Sequence, residues 1–529
     1  MKIKNILKHT FYGENVTLLP IGICAVLYLL ILFNGMVTTN LSSYLPQLVK
    51  TFNVSEVDTG RYVGLVSSAM SVSRVISGTT WGFVCDKYGK KVSLLCAGAG
   101  LTLATFMFGF SFNIVWAVAT RSMQGLCMGL VVISKSIISD ISDDTNLSIG
   151  LSLIISAMNI GYILGPSMAG FLVFPNEKYP TIFKKDPFFD KCKVFLPNFI
   201  IAMGLFISLV ITSFLLPKKE KGNLDVETEQ ISHENNKSAV NKDKESKDDY
   251  CVDYKEGPLF SEKSLLLKKE KKKISHFKDI IFCCNWFKNS KYKRMVQKSF
   301  LLTVILYGIF SMIAVGYEDL FPVFAATPEN YNGLSMNTSD IGLLYLLTGV
   351  SMIVIQFFAI NKFVNRYGVK KVFCTSTLLY SGLAFLLPTT RLIKNRKGLW
   401  VGLWITQCLI RSMYTAGLLC INVFINNSVE PEFLGLANGV GLSFASLGRA
   451  IGSVIFGQAY SWSMKNLKNQ LDLHKTVSFP FNEYFAFALM SVSTLVVLTV
   501  GTCLPNSINK KYISPKLNQE CEMEKTQRV

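Results

Sequence analysis

The sequence WGFVCDKYGKK, at residues 81–91, is a short charged stretch between two long apolar segments. The carboxylate of Asp86 ends the first segment, Gly89 permits a tight turn, and Lys90 and Lys91 precede the second segment. Short cytosolic loops of membrane proteins collect Lys and Arg. The stretch therefore predicts two membrane-spanning helices that are joined by a turn on the cytosolic side.

Length and composition also favour a membrane protein. Half of the 529 residues are hydrophobic and 38 are phenylalanine, which is more apolar surface than a soluble domain with a charged exterior can bury. A bilayer core of about 30 Å is crossed by about 20 apolar residues in a helix. Twelve such segments predict an all-α integral membrane protein with twelve transmembrane helices in two six-helix bundles. The segments are residues 20–44, 62–83, 92–112, 114–133, 149–174, 195–216, 300–315, 341–360, 372–387, 399–423, 436–460 and 484–504.

The hydrophobic segments divide the chain into five regions. An even number of spans places both ends on one side of the membrane, and the turn at Gly89 predicts that this side is the cytosol. The predicted regions are a cytosolic N-terminal tail, a six-helix bundle, a cytosolic central loop, a second six-helix bundle and a cytosolic C-terminal tail. Their bounds are residues 1–19, 20–216, 217–299, 300–504 and 505–529.

The charges of the loops support this orientation only in part. Lys370 and Lys371 lie in a predicted inner loop and Glu329 lies in a predicted outer loop, as the charge bias requires. Two loops disagree, because Arg391, Lys394, Arg396 and Lys397 fall on the predicted outer side, and Asp140, Asp143 and Asp144 fall on the predicted inner side.

The net charge of +19 lies largely between hydrophobic segments, which argues against a nucleic-acid partner. Residues 218–262 hold 8 basic and 12 acidic residues and read as a disordered linker. Residues 263–298 hold 12 basic and 2 acidic residues, with apolar residues at helical spacing. They predict an amphipathic helix on the anionic lipids of the inner leaflet, with a solvated linker as the alternative.

Cysteine and histidine give no sign of a metal or redox site. The 13 cysteines include no C-x-x-C pair, and none of the 4 histidines has the spacing of a ligand set. No loop combines a nucleophile, a base and a metal ligand. The sequence therefore predicts neither a metal centre nor an enzyme.

The turn carries a recognisable pattern, which is Gly82-x-x-x-Asp86-x-x-Gly89-Lys90-Lys91. It resembles the loop signature of the major facilitator superfamily of transporters, and the resemblance implies the fold of that superfamily. We expect Asp86 to latch the inner gate by meeting the positive end of the helix that begins near Gly435, together with Lys90 and Lys91.

The fifth segment contains Ser152, Gly161, Gly165, Pro166 and Gly170. Gly161 and Gly165 lie one turn apart and let a neighbouring helix approach closely, while Pro166 weakens the helix where it bends. The pattern resembles the helix 5 signature of drug and proton antiporters, which implies export coupled to inward proton flow. Ordinary packing of small residues is the alternative.

The two halves of the chain repeat each other. Gly368 lies in the loop after the eighth segment, as Gly89 lies in the loop after the second. Gly452 lies in the eleventh segment, as Gly161 lies in the fifth. Both repeats fall in corresponding helices, which indicates a duplicated architecture.

The resemblance narrows to the zinc-induced-facilitator-like branch. Residues 175–183, 318–322, 435–439 and 448–452 are similar to that branch. Plant members carry a cysteine motif before helix 1 and a histidine motif after helix 6, and this chain has neither. A role in carrying zinc or a metal chelate is therefore not predicted.

Charged and polar side chains within the spans are the candidates for a solute path and for proton coupling. An arginine that faces lipid costs about 2.5–3.5 kcal/mol, so these side chains are expected to face the interior or a water-filled cavity. The candidates are Arg74, Arg121, Gln124, Glu318, Asp319, Arg411 and Arg449.

Two pairs among these candidates have predicted roles. Arg121 and Gln124 resemble the superfamily's helix 4 signature, which implies proton handling. Glu318 and Asp319 are the predicted proton carriers, because the spans otherwise hold almost no carboxylate. The alternatives are arginines that only hold helices together and an acidic pair that only faces solvent at a helix end.

These observations predict a secondary active transporter that moves a small organic solute by alternating access, with proton antiport and export preferred. The alternatives are an uncoupled facilitator and a transporter-like receptor or scaffold that moves nothing. We expect a monomer in the plasma membrane or in a vacuolar or lysosomal membrane. Its expected partners are the solute, protons and the lipid bilayer, with the proton gradient as driving force and no cofactor.

Overall fold

The structure is a computed structural model, and it describes residues 17, 19–143, 145–183, 186–216, 297–356, 361–430, 433–472 and 479–509. The predictions of a linker and an amphipathic helix within 218–298 lie almost wholly outside the described residues, as do those for most of both tails. The described helices of both bundles belong to one compact unit.

Twelve long helical segments, named α1 to α12, make up the described chain, which contains no strand. They are α1 Ile21–Thr39, α2 Thr59–Tyr88, α3 Lys90–Phe108, α4 Ile114–Ile141, α5 Leu147–Leu172, α6 Phe195–Leu215, α7 Lys298–Ala326, α8 Thr338–Ile355, α9 Val369–Leu386, α10 Arg396–Asn427, α11 Leu434–Asp472 and α12 Phe485–Thr502. A turn interrupts α4 between Leu126 and Leu130. The shorter helices are Leu45–Thr51, Pro175–Lys178, Pro180–Phe183, Pro187–Lys191 and Asn361–Tyr367.

Eleven of these segments are long and apolar enough to cross a membrane, within the residues that were described. The exception is α2, whose 30 residues include Arg61, Arg74 and Lys87 and many small polar side chains. At 1.5 Å per residue α2 is about 45 Å long, which is sufficient to span a bilayer. The chain is a multi-pass membrane protein, and the count of twelve spans stays a prediction.

Helix α7 is longer than its apolar stretch indicates. The sequence predicts a span at 300–315, whereas α7 continues to Ala326 through Pro322. Glu318 and Asp319 therefore lie within the helix, about two turns before its end, and not at its terminus.

The predicted repeat has a structural counterpart. Gly89 and Gly368 have φ angles of 88° and 82°, a region that glycine adopts without strain, and each precedes a helix. A Cβ on Gly161 of α5 would lie 2.2 Å from the carbonyl oxygen of Leu32 in α1, and a Cβ on Gly452 of α11 would lie 2.1 Å from that of Met312 in α7. The same helix pair is thus in backbone contact in each half.

Two of the charges that oppose the predicted orientation, Arg391 and Asp140, lie in close ion pairs. Arg391 lies 2.8 Å from Glu483, which is fully buried. Asp140, in the last turn of α4, lies 2.6 Å from Lys90 at the start of α3. Each pair neutralises one opposing charge, and the orientation of the chain in the membrane stays a prediction.

The two bundles meet at one end, which we call the outer end; the inner end carries Gly89 and Gly368. At the outer end α2 packs against α11 and α5 packs against α8 without intervening side chains. The outer gate is defined by the residues of these two contacts, which are Gly60, Gly64, Ser453 and Gly457 on the first helix pair and Gly170 and Gly342 on the second.

Candidate functional site

Asp319 of α7 joins the two bundles at the outer gate. Its Oδ1 accepts a hydrogen bond of 2.8 Å from Ser67 on α2, and its Oδ2 accepts one of 2.6 Å from Ser453 on α11. The carboxyl group belongs to the C-terminal bundle, and one of its two partners belongs to the N-terminal bundle. Any movement that separates α2 from α7 must therefore break a hydrogen bond to this group.

Glu318 has different surroundings, although it is adjacent in sequence. Successive residues of a helix point about 100° apart. The charge of Glu318 acts on Tyr345, Tyr380 and Tyr414, and all three tyrosines belong to the C-terminal bundle. Asp319 thus faces the contact between the bundles, whereas Glu318 faces the aromatic interior of the C-terminal bundle.

Arg121 and Gln124 form a buried pair on α4. The guanidinium of Arg121 donates to Oε1 of Gln124 at 2.7 Å and to the carbonyl oxygen of Val37 in α1 at 3.3 Å. Asp319 lies in its electrostatic range. The arrangement fixes a positive charge inside the N-terminal bundle, on the side that faces the coupling candidate.

Arg411 belongs to the interior of the C-terminal bundle. Its guanidinium carbon lies 4.5 Å from the centre of the Tyr345 ring on α8, a cation–π contact. Gln407, one turn away on α10, is buried as well. This arginine therefore has an aromatic partner within its own bundle.

Arg74 of α2 and Arg449 of α11 lie between the bundles. Each is in the electrostatic range of the other and of Tyr162 and Tyr307, and Tyr414 also acts on Arg449. Both side chains are half-buried.

The predicted gating loop is only partly described. The side chain of Asp86 lies outside the described residues, so the latch that Asp86 is expected to form stays a prediction. Lys90 binds Asp140, and Lys91 donates to the carbonyl oxygen of Leu216, so both cations have partners in the N-terminal bundle. A Cβ on Gly82 would meet no atom within 4 Å.

The helix 5 residues divide into two contacts. Gly161 and Gly165 face α1, where a Cβ on Gly165 would lie 2.9 Å from the carbonyl oxygen of Met36. Gly170 faces the other bundle, and its Cβ would lie 2.6 Å from the carbonyl oxygen of Thr338 at the start of α8. Pro166 lies inside α5 between these contacts, and Ser152 lies nearer the inner end.

Lys178, in the short helix after α5, is a contact between bundles that the sequence did not single out. Its Nζ donates to the carbonyl oxygen of Gly170 and, at 2.6 Å, to the hydroxyl of Thr338. Burial lowers the pKa of Lys178 to about 8, and the opposite charges of Glu177 and Asp340 oppose that shift. Nothing in the local pattern separates Lys178 from other loop lysines.

Rising pH is expected to favour the closed outer gate through Lys178. An opened gate exposes this amine, whose ordinary pKa is about 10.4, so the open state binds more protons between about pH 8 and pH 10. Spin labels at Ile182→Cys and Leu392→Cys, both on exposed outer loops of opposite bundles, measure the separation in a background without native cysteines. In the Asp319→Asn background, which removes the opposing titration of that carboxyl group, the closed fraction should rise between about pH 8 and pH 10.

Lys178→Met is expected to remove this step in the pH response. Lys191→Met, a loop lysine whose side chain is exposed, is the matched control and should retain it. An identical pH response in the Lys178→Met protein contradicts the assignment.

Comparison with known proteins defines the class. The family model of the Major Facilitator Superfamily matches residues 27–338 and, in a second match, 299–504. The chain therefore belongs to the major facilitator superfamily, whose members are membrane transporters and not enzymes. In the part of the chain that the structure describes, no three His, Cys, Asp or Glu side chains are grouped so that they could hold a metal ion.

Particular relatives support the narrower resemblance. The chain is 25% identical over 443 residues to Protein ZINC INDUCED FACILITATOR-LIKE 1 of Arabidopsis thaliana, a match that covers 83% of this chain and 84% of that protein. It is 23% identical to the major facilitator superfamily multidrug transporter mfsB of Aspergillus fumigatus, over 87% of this chain and 81% of that one. A crystal structure of a D-xylose-proton symporter has the same fold, with a TM-score of 0.61, 14% identity and coverage of 93% and 99%.

Proposed function

We propose that this chain is a proton-coupled antiporter that exports a small organic solute by alternating access. The observation that carries the proposal is the position of Asp319, a carboxyl group of one bundle that accepts a hydrogen bond from the other at the closed outer gate. Relatives that include a named multidrug transporter support the export of an organic solute.

Closing the outer gate over Asp319 links the proton to the conformational change. An ionised carboxylate loses more hydration free energy on burial than a neutral carboxyl group does. Closure is therefore easier after Asp319 has taken a proton from the outer side. Once the proton leaves toward the inner side, the buried charge favours reopening of the outer gate.

The inner end of the two bundles is open while the outer gate is closed. The hydrogen bonds and ion pairs between bundles that the described side chains form with one another lie toward the outer end, such as Lys465 with Asp58 at 2.7 Å. Near the inner end, a Cβ on Gly78 of α2 or on Gly439 of α11 would meet no atom within 4 Å. Solute is proposed to enter from this end and to leave after the outer gate opens.

Purified protein in sealed liposomes tests the proposal. Internal pH and charge movement are recorded while organic cations, organic anions, sugars and metal chelates are added across an imposed pH gradient. A solute-dependent proton flux is expected, and it should be lost when both acidic residues are replaced in the Glu318→Gln and Asp319→Asn double variant.

Two other results would reject antiport. Solute flux without proton movement indicates the uncoupled facilitator. Silence across the whole panel, with a monodisperse and thermally stable protein, indicates the transporter-like receptor.

A further inference from the structure

Helix α6 shows where the hydrocarbon core of the membrane begins at the outer end. Every exposed side chain of α6 is apolar, whereas its polar Asn198, Ser208 and Thr212 are buried. In a multi-pass membrane protein, an exposed surface of this composition faces lipid. The 21 residues of α6 are about 31 Å long, which matches a hydrocarbon core of about 30 Å. Phe195, the first residue of α6, therefore lies near the outer boundary of that core.

The loop between α5 and α6, residues 173–194, continues this apolar surface. The ring centre of Phe188 in the loop lies 5.0 Å from that of Phe195, so the two rings have a similar depth. Phe188 is still 40% exposed. Successive ring contacts of this kind define what we call the outer aromatic patch, which consists of Phe106, Phe110, Phe188, Phe189, Phe195 and Phe199.

Hydrogen bonds within the loop give it a defined shape. Asn176 is buried and donates to the carbonyl oxygen of Asp186 and to Oδ1 of Asp190, both at 2.8 Å. The N–H of Phe188 donates to Oδ1 of Asp186 at 2.9 Å. These bonds satisfy polar groups that are costly to remove from water without a partner. The loop can therefore present Phe188 to a surrounding of low polarity.

The other end of the same loop contacts the opposite bundle at the outer gate. Lys178 donates to the carbonyl oxygen of Gly170 and, at 2.6 Å, to the hydroxyl of Thr338, the first residue of α8. Tyr179, the next residue, donates to the carbonyl oxygen of Phe171 in α5 at 3.2 Å. One short loop thus connects the outer aromatic patch to a contact that holds the outer gate closed.

We propose that the loop between α5 and α6 is an interfacial anchor, and that its partner is the lipid at the outer end of the bilayer. Phe188 and the rest of the outer aromatic patch lie at the boundary between headgroups and hydrocarbon, where aromatic side chains are enriched. The loop held there keeps Lys178 against Thr338. This inference goes beyond the proposed function, because it applies to an antiporter and to an uncoupled facilitator alike.

Attachment to lipid favours the closed outer gate. A loop that moves freely in water loses conformational entropy when Lys178 forms its contacts, and that loss opposes closure. A loop that the membrane already holds has less freedom to lose, so the same contacts form more readily. The phenylalanines of the loop therefore stabilise a contact that they do not touch.

The depth of the loop is measured with a spin label at Phe188→Cys in the full chain without native cysteines, reconstituted in liposomes. Collisions of the label with oxygen, which concentrates in the bilayer, are compared with its collisions with a water-soluble nickel chelate. Phe199→Cys on α6 is the reference for lipid, and Lys394→Cys, on an exposed outer loop of the other bundle, is the reference for water. We expect the label at position 188 to resemble the lipid reference.

A second variant measures the same depth with a large ring kept in place. The additional tryptophan fluorescence of Phe188→Trp should be quenched by lipids that carry bromine on their acyl chains and not by iodide in the water. Monodisperse elution confirms that each variant is folded.

Substitutions at Phe188 test the connection to the gate. Spin labels at Val115→Cys and Leu392→Cys, exposed outer positions of opposite bundles that lie outside this loop, measure the separation. Phe188→Ser should shift the population toward the longer separation, whereas Phe188→Leu, which keeps an apolar side chain, should resemble the parent. Phe481→Ser, at a phenylalanine that is 48% exposed on an outer loop of the other bundle, is the matched control and should leave the separation unchanged.

Several results overturn the anchor. A label at position 188 that collides as the water reference does, or quenching of Phe188→Trp by iodide and not by brominated lipid, places the loop in water. An unchanged separation in Phe188→Ser removes the connection to the gate. An equal shift in Phe188→Ser and Phe188→Leu assigns the effect to ring packing within the protein and not to lipid. None of these measurements involves proton flux, so a failure of the proposed antiport leaves them unaffected.

Discussion

Changing Asp319 alone to asparagine is expected to reduce proton-driven accumulation of solute to the level of protein-free liposomes. Glu318→Gln, at the adjacent position of α7, is expected to retain it. Asparagine has the size of aspartate and can still form hydrogen bonds with Ser67 and Ser453, so the outer gate can close. It cannot take up a proton, so closure no longer depends on protonation at this position.

The measurement compares two modes of transport in the same liposomes. Accumulation under a pH gradient reports coupling, whereas exchange of labelled for unlabelled solute at equal pH reports the conformational cycle. Asp319→Asn should lose the first and keep the second. Accumulation that survives in Asp319→Asn and disappears in Glu318→Gln would place the proton site among the tyrosines of the C-terminal bundle.

Apolar segments in the sequence located most helices because a bilayer requires a minimum length of apolar surface. The span predicted at 195–216 corresponds to α6, Phe195–Leu215. Hydropathy predicts a helix that is too short where polar side chains lie inside the helix. It ended α7 early because Glu318, Asp319 and Pro322 interrupt the apolar run.

The sequence identified the charged residues of the candidate site, but it did not identify the residues that they contact. A charge inside a span stands out against its apolar neighbours, so Asp319 and Arg449 could be found from the sequence. The serines on either side of Asp319 are 252 and 134 residues away along the chain. Hydropathy predicts where a helix crosses the membrane, but it does not predict which neighbour each face of the helix contacts.

The glycines of the outer gate show the same limit. The sequence singled out Gly161 and Gly165 from their spacing, and both face α1 within one bundle. Gly60 and Gly64 have the same four-residue spacing, yet they face Gly457 and Ser453 of the other bundle. A small residue is evidence for a close approach, but the identity of the approaching helix comes only from the fold.

Replacing Gly64 with leucine is expected to hold the outer gate open and to reduce transport to background. A Cβ at this position would lie 2.1 Å from the carbonyl oxygen of Ser453 on α11. That atom belongs to the backbone, so it cannot turn aside as a flexible side chain can. The two helices are equally close one turn away, where a Cβ on Gly457 would lie 2.5 Å from the carbonyl oxygen of Gly60.

Gly78→Leu is the matched control for this prediction. Gly78 lies on the same helix, and a Cβ there would meet no atom within 4 Å. Leucine favours a helix over glycine by about 1 kcal/mol at either position, so helix propensity cannot separate the two variants. The separation of the spin labels at positions 182 and 392 should lengthen in Gly64→Leu and stay unchanged in Gly78→Leu. A parent-like separation in Gly64→Leu would mean that α2 and α11 do not form the gate.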